Sequence, residues 1–129
     1  MFHVLPVNHL IGVWVALEDI SPDSGPLVYY PGSHREGMYP SFSNYPQTNR
    51  RTTDDTASAQ YDRHIVQTSR KYEERHFLAK AGDALFWHGQ LIHGGSGMEN
   101  PDSTRRSFIV HFMSEGADRS GDVTGPVNW

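Results

Sequence analysis

Short apolar runs broken by turn residues set the limits on this fold. Residues 10–17 (LIGVWVAL) are one continuous apolar run bounded by polar positions. The run is too short for a lone helix, and Val and Trp favour sheets, so it reads as a buried strand. Residues 18–25 (EDISPDSG) are a turn, with Pro22 and the Asp23-Ser24-Gly25 cluster. Residues 26–30 (PLVYY) are a second short strand, closed by Pro31-Gly32-Ser33-His34. Two strands so joined make a hairpin or a corner of an antiparallel sheet. Further strands are expected at 74–78, at 84–88 (ALFWH) with 90–93 continuing it, and at 105–113 (RRSFIVHFM). Residues 57–75 are the helix candidate. Tyr61, Ile65, Ser69 and Tyr72 would form its thin apolar face, and Asp54 or Asp55 its cap. Residues 35–56 read as a long loop, and 114–129 as an irregular tail. Several short strands with one peripheral helix predict an all-β barrel or sandwich.

A chain of 129 residues is at most one domain, spanning 1–129. Its formal net charge of −4 leaves no basic footprint, so neither nucleic acid nor an acidic membrane surface is an expected partner. Without cysteine there is no disulfide and no thiolate metal site. No apolar run approaches the ~20 residues needed to span a bilayer, and the start lacks the pattern of a signal peptide. A soluble, cytoplasmic protein is the expectation.

The chemistry concentrates in HGQLIHGGSGMENPDSTRRSFIVHF, residues 88–112. His93 follows an apolar stretch and precedes Gly94-Gly95, where backbone and ligands can approach closely. An imidazole at a strand end suits a metal, although on spacing alone a strand-capping hydrogen bond is the better explanation. Arg105 opens a strand with Ser107 two residues on, so period-2 geometry puts both on one face. A guanidinium beside a hydroxyl inside a barrel is a receptor for a carboxylate. Arg106 must face the other way. His88 lies five residues before His93, the wrong spacing for one strand face, so a His88–His93 chelate is not expected. Trp14 reads as core packing, Asp19 and Asp83 as turn residues, and His34 and His111 as structural.

GVWVALEDISPDSGPLVYYPGSHR, GDALFWHGQLIHGGSG and TRRSFIVHF together resemble the phytanoyl-CoA dioxygenase family. The resemblance runs from Val13 to about Phe112, in three ordered blocks. It implies a double-stranded β-helix (jelly-roll, cupin-like) and non-haem Fe(II)- and 2-oxoglutarate-dependent oxygenase chemistry with O2. It assigns His93 to the distal iron histidine and Arg105 to the arginine that holds the far carboxylate of 2-oxoglutarate. Ser107 completes the Arg-x-Ser pattern, and Trp14 matches a tryptophan lining the cosubstrate pocket.

The family's iron site has two histidines and one carboxylate, and the first pair comes as H-x-D before the Trp strand. Residues 1–11 (MFHVLPVNHLI) hold His3 and His9 but no Asp or Glu. The matching positions would fall before Met1, so this chain is expected to be the C-terminal portion of a longer family domain. The expected function is hydroxylation of an aliphatic C–H of a small organic substrate, with selectivity lodged in loop 35–56. The alternative is a non-catalytic barrel that keeps the carboxylate pocket without a complete iron site. An incomplete barrel would expose sheet edges, through which it would self-associate.

Overall fold

The structure, a computed structural model, describes residues 8–37 and 55–117. It is mostly β, with two three-stranded antiparallel sheets and one helix. In chain order the strands are β1 (Leu10–Ala16), β2 (Leu27–Tyr29), β3 (Arg75–Phe77), β4 (Ala84–His88), β5 (His93–Gly95) and β6 (Ser107–Met113). The helix α1 is Asp55–Ser69. One sheet has the order β4-β1-β6 and the other β3-β2-β5.

The apolar run at 10–17 becomes the centre of the first sheet. It pairs with β4 through Gly12↔Trp87 and Trp14↔Leu85, and with β6 through Gly12↔His111, Trp14↔Ile109 and Ala16↔Ser107. Cross-strand partners share a face, so Trp14, Leu85, Trp87, Ser107, Ile109 and His111 all look inward. The core lies between the sheets: Trp14, Ala16 and Trp87 meet Leu27 and Ala79, with Phe77, Leu85, Leu91 and Ile109 packed around them. Full burial of an aliphatic residue such as Ile20 or Leu27 there stabilises by roughly 1.5–3 kcal/mol. The opposite face of the same sheet is apolar as well. Ile11, Phe86, Phe108 and Phe112 project from it and are about half exposed or more.

Of the two arrangements expected for the turn at 18–25, the structure has the corner: β1 and β2 lie in different sheets, joined through a 3-10 turn at Pro22–Ser24 that ends on Gly25 in the left-handed region (φ 72°). Three other expectations about the elements change. Residues 90–93 do not continue β4. The chain turns after His88, with the Leu91 N–H on the His88 carbonyl, and the new strand starts at His93. The last strand begins at Ser107, two residues later than expected. Finally, α1 stops at Ser69 rather than running on to 75, because Arg75–Phe77 must extend to pair with Tyr29–Leu27. Its inward residues are Tyr61, Thr68 and Ser69. Tyr72 lies past the helix and donates to Glu36 (2.6 Å). Residue 54, the side chain of Asp55, and residues 38–54 of the long loop lie outside what the structure describes.

Candidate active site

His93 opens β5, an edge strand held by Tyr29↔His93, Val28↔Gly94 and Leu27↔Gly95. Its Nδ1 lies 2.7 Å from the Leu91 carbonyl. A carbonyl only accepts, so Nδ1 carries the proton and Nε2 presents its lone pair. That is the arrangement in which a histidine ligates a metal: one ring nitrogen fixed by a carbonyl, the other free. The residue is exposed. Even so, desolvation by the surrounding protein draws its pKa below the ordinary histidine value, against the pull of the Leu91 carbonyl and with help from His111. The neutral ring is favoured.

His88 is arranged the opposite way. The backbone N–H of Gln90 donates to its Nδ1 (3.2 Å). The proton of the neutral ring must then sit on Nε2, which becomes a donor with no lone pair to give. Its ring packs on His34, centroids 5.3 Å apart. Burial lowers its pKa first, and the neighbouring His34 adds to that.

Arg105 and Arg106 part to different sides. Nη1 of Arg105 donates to the Gly25 carbonyl. The guanidinium lies over Gly95, where an added Cβ would come within 3.0 Å of Nη2. The Arg106 backbone N–H donates to Glu18 (2.6 Å). Hydrogen bonds from Thr104 and then from that N–H hold the Glu18 carboxyl below its ordinary pKa. Residues i and i+2 of a strand share a face, so the space above Gly95 is on the side to which His93 points. Arg105 and His93 therefore lie on one face of β5, the guanidinium over a position about 7 Å along the strand from His93.

Ser107 starts β6 on the inward face opposite Ala16. Trp14 is 2% exposed, with its ring T-shaped to that of Phe77 at 5.8 Å; the structure places it in the core. Asp19 accepts from the Ala81 N–H and from Lys80 (2.9 Å each), and Asp83 from the Lys80 N–H (2.8 Å), so both serve their turns. His9 bonds Ser114 (2.7 Å), and His3 is outside the described residues. Among the described residues no group of three or more His, Cys, Asp or Glu is placed to hold a metal ion.

Three residues at the site were not singled out for it in the sequence. Trp87 stands against His93 with ring centroids 4.8 Å apart. His111, expected to be merely structural, lies at right angles to the Trp87 ring, centroids 6.4 Å apart. Gly12 lies under the indole: an added Cβ would fall within 2.7 Å of its Nε1. The available signal was Gly12 itself, since an isolated glycine inside an apolar strand marks a close approach.

Residues 1–107 match the phytanoyl-CoA dioxygenase (PhyH) family, and the chain belongs to it. It is 28% identical over 127 residues to phytanoyl-CoA dioxygenase domain-containing protein 1 of Danio rerio, covering 96% of this chain and 38% of that protein. It is 31% identical over 112 residues to peroxisomal phytanoyl-CoA dioxygenase of Bos taurus, covering 86% and 30%. The chain thus spans well under half the length of these relatives. In fold it is similar to the non-heme alpha ketoglutarate dependent carbocyclase SnoK (23% identity, TM-score 0.60, 88% of this chain and 40% of that one). It is also similar to the epimerase SnoN in complex with Fe3+, alpha ketoglutarate and nogalamycin RO (22%, TM-score 0.63, 95% and 42%).

Proposed function

We propose that this chain supplies the distal half of an Fe(II)- and 2-oxoglutarate-dependent oxygenase site, in a double-stranded β-helix whose remaining iron ligands come from an H-x-D segment upstream. The whole protein would hydroxylate an aliphatic C–H of a small organic substrate. One observation carries the reading: His93, with its Nδ1 proton on the Leu91 carbonyl, and Arg105, seated over Gly95, share one face of β5. Family membership and the iron- and ketoglutarate-dependent neighbours support it.

His93 fits iron as one ligand, and Arg105 fits the far carboxylate of 2-oxoglutarate. One of the guanidinium's nitrogens already donates to Gly25, which fixes the fork and leaves further N–H groups for a bidentate carboxylate. Iron with 2-oxoglutarate and O2 supplies the oxidation itself. The chain's own residues orient and enclose. The Leu91 carbonyl holds the His93 proton on Nδ1, Trp87 walls one side of the ring from water, and Trp14 closes the floor.

A second reading, a barrel that binds a carboxylate without competent iron, is favoured by the lack of any three-ligand group among the described residues. One assay separates the two. A chain extended upstream through an in-frame H-x-D should release succinate only with Fe(II), O2 and 2-oxoglutarate together. His93→Ala should abolish release, because two ligands hold the metal poorly, while His88→Ala should keep most of it. Activity that survives His93→Ala and disappears with His88→Ala would sink the assignment. An upstream reading frame that stops before any H-x-D would favour the binding module.

A further inference from the structure

His93 is an iron ligand in the reading above, yet its own strand is a poor mount. β5 is three residues long and lies at the edge of its sheet, and the ring's hydrogen bond is made outside that strand, to the Leu91 carbonyl. The firmer support comes from the other sheet. Trp87 is 6% exposed on β4 and pairs with Gly12 at the centre of the β4-β1-β6 sheet. The glycine lets the indole lie against the β1 backbone, in space that any other side chain would fill. From there the indole reaches across the core to the His93 ring, 4.8 Å away at 52°, and also meets His111, 6.4 Å away at 87°. A wide, rigid ring packed against the imidazole blocks rotation of a side chain that is otherwise loosely held.

We propose that Trp87, seated on Gly12, is a positioning residue that fixes the His93 ring with Nδ1 on Leu91 and Nε2 toward the site. The inference rests on the reading of His93 given under Proposed function. It adds that the ligand's orientation is set by the opposite sheet.

The test needs no activity. Nitrogen-resolved NMR of the histidine rings in this chain, metal-free and at about pH 8, well above the ordinary histidine pKa, reads which nitrogen of His93 carries the proton. The wild type should hold it on Nδ1. Trp87→Leu and Gly12→Ala should lose that preference, and Trp87→Phe should restore most of it by keeping an aromatic wall. Ile20→Val, a core substitution away from the ring, should lower the unfolding midpoint and leave the tautomer alone. A His93 tautomer unmoved by Trp87→Leu would overturn the proposal. So would one moved as far by Ile20→Val, because general loosening would then suffice. If Gly12→Ala does not fold, the Leu and Phe variants of Trp87 decide between them. Millimolar Co(II) added to the same chain should broaden the Trp87 indole N–H, and His93→Ala should abolish that broadening. Broadening indifferent to His93 would remove the ligand reading while leaving the tautomer result to judge the positioning role.

Discussion

Arg105 and Arg106 differ in nothing but their parity. One lies over Gly95 on the side of His93, and the other sends its N–H to Glu18 and leaves its guanidinium largely in water. In a chain extended upstream, Arg105→Ala should weaken 2-oxoglutarate binding by about 1.5–3 kcal/mol, the usual loss for hydrogen bonds to a charged group. That is roughly ten- to a hundredfold in Kd. Arg106→Ala should change it little, since exposed ion pairs contribute ~0–1 kcal/mol even to stability. Anaerobic calorimetry reads both, and the reverse order would mean the strand is slipped by one residue. The sequence led to this split through strand alternation, yet both residues precede β6, and what parts them is the bond of Arg105 to the Gly25 carbonyl and that of the Arg106 N–H to Glu18. The contrast between His88 and His93 was legible only as spacing. What separates them chemically is a carbonyl facing one ring and an N–H facing the other, and both belong to a turn whose path no residue type at 89–92 dictates.

Elements were legible where the residues met both local and long-range demands. The run at 84–88 became β4 with the same bounds, and 10–17 became β1 less its last residue. Elements moved where pairing overrode propensity. Helical periodicity reaches Tyr72, but β2 needs partners, and 75–77 is drawn out of the helix to supply them. Arg105 and Arg106 look like the first residues of a strand, but β1 has by then passed Ala16 into its turn, so the pairing that defines β6 starts at Ser107. The double role of the PGSH segment was not legible at all. Ser33 is 2% exposed, and its Oγ accepts from the Ile92 N–H (2.9 Å), tying the turn after β2 to the residue just before His93. Ser33→Ala orphans that buried N–H and should cost about 1–3 kcal/mol. Urea unfolding should show a lower midpoint with an unchanged slope. A midpoint at the wild-type value would mean that water or a backbone shift satisfies Ile92.

For the molecule as a whole, acid should act in two stages. His88 and His93 have pKa values lowered mainly by burial. Above about pH 6.5 both are neutral in the folded and unfolded chain and cost nothing. Below that the unfolded chain takes up the protons first, so stability falls as pH drops through the folded-state values. Glu18, Asp19 and Glu36 have lowered pKa values through hydrogen bonds made to their charged forms. Their contribution is present above about pH 4.5 and disappears as pH falls further. Melting curves between pH 8 and pH 3 on the metal-free chain should show both stages, and His88→Asn should flatten the first. A melting temperature flat from pH 8 to pH 5 would contradict the burial of these rings. Among the described residues the outer face of the β4-β1-β6 sheet is an uncharged patch on the surface. Ile11, Phe86, Phe108 and Phe112 carry no charge, so the whole of the net −4 is spread over the remaining surface. The chain is in this sense an amphiphile, with an oily side and an ionic side. Salt screens the repulsion that keeps copies apart, and strongly hydrated anions such as sulfate strengthen the attraction between oily sides. Its solubility is therefore set by the solvent's ionic composition, and buffers chosen to quiet the charged surface are the ones that drive the protein out of solution.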